Sequence, residues 1–289
     1  MNAPHSNAVN DSVSSQVRIL RSNARPEDGT PGDPLDYLSA SRLKSFLTCR
    51  LKFYYEKVLG LKTPSTPNLH IGKAVHVGLE AFHVARWREE DGSTPVIIEA
   101  YHSAYRALEE EDPVDYGDKM REECLATGER VVRAYLDSEL AADPRRVLGV
   151  EVYLRAEDPS MPLPLLGVLD LVREGNVPVD FKTIGSTPNL EEEAWANQLQ
   201  LSMYHLMLRD ATDEEPGAGE LVYLVKLKTP KVIQHRLPPV EDVQLARLRS
   251  LADIYVDDVK RGDFYPSPGM HCRWCEFRGR CRAWGKQTA

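Results

Sequence analysis

A chain of 289 residues with 42% hydrophobic and 28% charged content can bury a substantial core, and its composition is ordinary for a globular protein in water. No apolar run approaches the roughly 20 residues that cross a bilayer, and the polar Met1–Asn10 start lacks the apolar centre of a secretory signal, so a cytoplasmic protein with no membrane partner is expected. The formal charge of -8 excludes a uniformly cationic surface, so affinity for phosphate backbones would have to come from local clusters of Lys and Arg.

Residues 1–34, rich in Ser, Asn, Pro, Asp and Gly, are expected to form a flexible tail. The remainder, 35–289, is expected to be one domain: a helical part over 35–145, a strand-bearing core over 146–236, and a C-terminal helix with a cysteine-rich segment over 237–289. Ser39 is a helix N-cap candidate ahead of the segment that ends at Cys49. A second helical pattern opens at Gly72 and runs to about Arg88, with Val75, Leu79 and Phe82 on its apolar side. His76 belongs to this helix and is either a core histidine or a ligand. The stretch from Arg86 to Ala142 reads as helical and could cover a cleft.

Strands follow at Val147–Leu154, Leu165–Val172 and Val177–Phe181, the last two joined by a turn at Glu174-Gly175-Asn176. This hairpin would bring Asp170 and Asp180 within reach of one cation. Carboxylates, a main-chain carbonyl and water are the oxygen ligands that Mg²⁺ requires. Lys182 lies two residues beyond Asp180, so in a strand both side chains point to one face. Taken alone, Asp-x-Lys is equally a solvated strand with an incidental ion pair. Glu151, in the strand before the hairpin, reads as a supporting acid or as a strand-edge charge. A helix over Leu190–Arg209 makes Gln200 and Tyr204 neighbours. Strands near Leu221–Lys228 and Lys231–Arg236 and a helix over Val240–Arg261 complete an α/β pattern, a mixed central sheet flanked by helices.

Cys272 and Cys275 form a Cys-x-x-Cys pair followed by Cys281, and Cys49 is the fourth candidate thiolate. Such a set can hold zinc or an iron–sulfur cluster. Cys124 is left over as a free thiol, and five cysteines in a cytosolic-looking chain do not suggest a disulfide scaffold.

In this order the Gly-x-x-x-His helix at His76, the strand acid Glu151, Gly-x-x-Asp at Asp170, Asp-x-Lys at Asp180 and Lys182, and Gln-x-x-x-Tyr at Gln200 and Tyr204 resemble the RecB-like branch of the PD-(D/E)XK nuclease superfamily. The resemblance spans Tyr37 to the C-terminus and implies a restriction-endonuclease-like core. It implies that His76, Asp170, Asp180 and the main-chain carbonyl of Phe181 bind Mg²⁺ or Mn²⁺, and that Lys182 assists hydrolysis. Gln200 and Tyr204 would lie over the active site and touch substrate phosphate. One cysteine near the start and three near the end resemble the iron–sulfur nucleases of this family, among them AddB-type helicase-nuclease subunits and CRISPR-associated exonucleases. That implies a [4Fe-4S] cluster on Cys49, Cys272, Cys275 and Cys281, with zinc as the alternative.

The activity implied is metal-dependent exonuclease cleavage of DNA, favouring single strands, in repair, recombination or CRISPR-type DNA processing. The implied partners are single-stranded DNA or DNA ends, with helicases or CRISPR integration proteins as protein partners. The rival readings are a weakly catalytic assembly subunit of such a complex and an iron–sulfur redox protein. A cluster joining the two ends of the domain would set Arg42, Lys44, Arg50, Lys52, Lys57 and Lys62 against Arg273, Arg278, Arg280, Arg282 and Lys286, an expected positive surface. Phe53, Tyr54, Tyr55, Trp274, Phe277 and Trp284 interleave with these cations, either to stack on bases or to pack around the cluster.

Overall fold

A computed structural model describes residues 33–285, so most of the expected N-terminal tail and Lys286 lie outside the described residues. Five strands form one mixed sheet in the order β1-β2-β3-β4-β5: β1 Val147–Ala156, β2 Leu165–Arg173, β3 Val177–Ile184, β4 Glu220–Val225 and β5 Lys231–Arg236. All neighbours are antiparallel except β3 and β4, which run parallel. A parallel pair needs a crossover connection, and helix α6, Leu190–Thr212, supplies it.

Helices cover both faces. Ahead of the sheet come α1 (Ala40–Thr48), the short α2 (Arg50–Phe53) with its following π turn, α3 (Pro67–Arg88), α4 (Thr94–Glu111) and α5 (Arg121–Leu136). After it come α7 (Asp242–Arg261) and α8 (Arg278–Ala283). Side chains of β4 divide by parity, as a pleated strand requires. Leu221, Tyr223 and Val225 join the core under α1, α6 and α7, whereas Val222 and Leu224 join the core under α3, α4 and α5. Every residue of β4 is buried, which accounts for its unbroken apolar reading. The stretch expected to cover a cleft forms α4 and α5, whose Ile97, Tyr101, Val131 and Tyr135 complete this second core with α3.

Several local signals hold. Ser39 accepts the Arg42 N–H and caps α1. The β2–β3 turn places Gly175 and Asn176 at φ of 80° and 52°, the left-handed region that glycine and asparagine tolerate and that tight hairpin turns demand. Helix α3, expected to open at Gly72, starts at Pro67 with Thr66 as its cap. Proline at the first helical position has no intrahelical N–H to lose, so Thr-Pro is the true start signal. Strand β3, expected to end at Phe181, continues to Ile184 because β4 pairs with it throughout that stretch, Lys182 opposite Tyr223.

Candidate functional site

The sheet forks between β2 and β3. These strands pair only from Leu171–Val179 back to the turn, after which β2 continues alongside β1 and β3 alongside β4. Asp170 sits at the fork, and its Oδ2 accepts the Phe181 N–H at 2.7 Å. Because N–H and C=O of one strand residue face the same edge, the Phe181 carbonyl also faces the fork. The Phe181 ring is buried against His83 and Tyr135.

Three side chains converge on the mouth of the fork. His76 of α3, Glu151 of β1 and Asp170 of β2 each offer one ligand atom, and these atoms all lie within 4.8 Å of one another. Glu151 lies between the register pairs Val150–Leu171 and Val152–Leu169, and its φ of 47° is left-handed within a strand. A non-glycine residue held there stores backbone strain, which folds keep mainly where the side chain must be aimed. Two carboxylates brought together repel unless a cation lies between them. His76 supplies one charge: burial opposes its protonation, but its contact with Asp170, at 3.5 Å, and the charges of Asp180 and Glu151 lift it to about 9. An oxygen-rich cradle with one imidazole suits Mg²⁺ or Mn²⁺, the nitrogen favouring Mn²⁺.

Asp180 lies beside the trio and is held by a network of its own. It is buried outside that trio, with Oδ2 2.8 Å from Lys182 Nζ. Its Oδ1 accepts from Gln200 Nε2 at 2.7 Å, and the Tyr204 hydroxyl lies 3.3 Å away. Lys182 Nζ also donates to Gln200 Oε1 at 2.8 Å, so the amide bridges lysine and carboxylate. Burial pushes the Asp180 carboxyl up and the Asp170 charge adds to it, with Lys182 opposing both. The Tyr204 phenol, raised by burial and by these carboxylates, stays protonated and donates to the Val168 carbonyl at 3.0 Å. Close approach of α6 to β2 depends on Gly167, where a Cβ would lie 2.8 Å from the Met207 methyl and 3.6 Å from the Tyr204 ring. The sequence flagged every member of this network, but the strain that aims Glu151 into the trio has no signature in residue type.

The four cysteines singled out from the sequence line one cavity of about 190 Å³. Cys49 is the junction of α1 and α2, and the other three come from the C-terminal segment. Backbone N–H groups of Ser267 and Gly269 point at the Cys49 and Cys272 sulfurs, at 3.5 and 3.4 Å. Burial pushes the Cys275 and Cys281 thiols up, and the other sulfurs push Cys281 further. Cys124 is a buried free thiol in the α5 core.

Three of the cations expected to make a positive surface around these cysteines are engaged within the chain. Arg42 is buried, donates to the Asp33, Pro34 and Tyr37 carbonyls and stacks on Tyr37. Arg50 pairs with Asp258, and Lys52 with Glu56 and Glu276. The aromatics divide: Phe53, Tyr55 and Phe277 are buried packing, whereas Trp274 and Trp284 are exposed.

A family model described as the PD-(D/E)XK nuclease superfamily matches residues 37–282. No curated protein matches the chain in sequence. Among solved structures, a protein from Eubacterium rectale provisionally described as an exonuclease aligns with a TM-score of 0.57 at 15% identity, covering 86% of this chain and 88% of that one, a likeness of fold. The structure of SSO0001 aligns at 17% identity over 81% of this chain and 94% of that one, with a TM-score of 0.34, too low to bear on the fold.

Proposed function

The chain belongs to the PD-(D/E)XK nuclease superfamily, and from that premise we propose that it is a metal-dependent DNA exonuclease favouring single strands, used in DNA repair, recombination or CRISPR-type processing. The observation that carries the reading is the pairing of a donor trio with an adjacent lysine at one fork of the sheet. His76, Glu151 and Asp170 would hold the cation, with the Phe181 carbonyl on the same edge and Asp180 beside it. Once bound, a divalent cation polarises a phosphoryl oxygen and lowers the pKa of water. Lys182, fixed between Asp180 and Gln200, directs its remaining donor toward charge that develops on the phosphate. Gln200 holds that lysine in place, and Tyr204 pins α6 to the β2 backbone.

The thiolate set supports a [4Fe-4S] cluster on Cys49, Cys272, Cys275 and Cys281. A zinc tetrahedron with bonds of about 2.3 Å needs sulfurs about 3.8 Å apart. The four thiols line one cavity, as the larger iron–sulfur centre also requires. Backbone N–H groups aimed at sulfur suit it too, since they stabilise the charge on cluster thiolates. Helicases or CRISPR integration proteins are the partners this reading suggests.

The test is digestion of single-stranded DNA labelled at either end, in Mn²⁺, by wild type and Lys182→Ala. Cleavage that disappears in the variant, with a ladder from one end, supports the reading. A metal-loaded wild type that leaves DNA intact would replace it with the assembly-subunit reading.

A further inference from the structure

Helices α1 and α6 bound a groove of about 430 Å³ that opens onto Lys182 and Gln200. In a chain with 44 acidic and 36 basic residues, none of the residues lining this groove is acidic. Helix α1 contributes Ser41, Lys44 and Thr48, which are exposed and lie three and four residues apart, hence on one side of the helix. Other cations nearby are engaged: Arg42 with backbone carbonyls, Arg50 with Asp258, Lys52 with two glutamates. Among the described residues Lys44 has no ion-pair partner, and its ammonium keeps all its donors for something outside the chain. The polar neighbours are partly committed, since Thr48 Oγ1 donates to the Lys44 carbonyl and Asn197 Nδ2 to the Glu193 carbonyl. The groove therefore has a cation at Lys44 and the lysine of the fork, Lys182, beyond it. Its volume is that of a small-ligand pocket, with room for a nucleotide but not for a duplex.

We propose that this groove carries the part of a single nucleic-acid strand that adjoins the cleaved bond, and that Lys44 binds a backbone phosphate there. The proposal rests on the nuclease reading for what happens at the fork, but it predicts binding whether or not cleavage occurs. A lysine on one phosphate contributes independently of base sequence and releases bound counterions. Its effect therefore shows in the salt dependence of affinity.

The experiment measures binding of a fluorescent oligothymidylate in Ca²⁺ at several salt concentrations, and cleavage of the same strand in Mn²⁺, for wild type, Lys44→Ala, Lys44→Arg and Lys231→Ala. Lys231 is an exposed lysine on β5 outside the groove. In Lys44→Ala the slope of log affinity against log salt should flatten by about 0.7. KM should rise about tenfold with kcat within about twofold, and Lys44→Arg should restore both. A Lys44→Ala protein with wild-type slope and KM, or an equal change in Lys231→Ala, overturns the proposal. Cleavage by wild type with no effect of Lys44→Ala sinks the groove and leaves the nuclease reading standing. Binding that depends on Lys44 without any cleavage does the reverse.

Discussion

The fork and the cysteine cavity gather ligands in opposite ways. At the fork, donors of mixed type come from α3, β1 and β2, elements packed into the central core, and they lie within 4.8 Å of one another. In the cavity, four identical donors come from the two ends of the domain and are held by short segments, with Cys272, Cys275 and Cys281 only partly buried. A site whose geometry is imposed by the sheet survives the loss of its ion. A site whose parts are far apart in sequence depends on its occupant to close the loop, as a crosslink does. The first arrangement suits an ion that takes part in chemistry, the second a centre that holds structure.

The sharpest break in that comparison is Lys182→Ala, which should lower cleavage about a thousandfold while the melting temperature moves by no more than about 2 °C. Equal losses of both would make the fork as structural as the cavity. Cys275→Ala should do the opposite, bleaching visible absorbance and costing about 3 kcal/mol of stability, read as a drop in melting temperature. Glu151→Gln should weaken Mn²⁺ binding about ten- to a hundredfold by calorimetry. Glu151→Gly adds a finer point: glycine accepts φ of 47° without strain, and the metal-free variant should melt higher than wild type by up to about 1 kcal/mol while binding metal poorly.

A further effect is on pH dependence. His83 packs between Phe82, Tyr135 and Phe181, where burial first and then the charges of Arg173 and Arg86 push it down to about 3 from an ordinary value of 6.5. The unfolded chain takes up that proton below about 6.5 and the folded one only near 3, so stability falls as pH drops through this window. The slope from this group is at most about 1.4 kcal/mol per pH unit. His83→Phe should flatten the dependence of melting temperature on pH between 6 and 4; an unchanged slope would assign acid sensitivity elsewhere.

Much of the fold was legible because periodicity and turn chemistry are local. The Gly175-Asn176 turn, the strand at β5 and the parity of Asp180 and Lys182 all follow from neighbours in sequence. Less legible was whatever depends on distant partners. Lys182 lies within β3 only because β4, beyond the whole of α6, extends the pairing. Arg50 and Lys52 look like free cations until Asp258 and Glu276 fold onto them. At the candidate site, the sequence pointed to each polar side chain but not to the division that sets Asp170 in the donor trio and Asp180 beside it, against Lys182 and Gln200. That division arises from the splay of two strands, and a ladder that stops after Leu171–Val179 leaves no mark on composition.

Asp170 uses its two oxygens for two tasks, one accepting the Phe181 amide and the other turned toward His76. The carboxylate is thus denied free rotation before any ion arrives, and the charge it faces in the metal-free protein is a proton on His76. A divalent cation would therefore meet a carboxylate already held in place. Binding there would need little rearrangement of the hairpin, and exchange of the ion would not wait on folding.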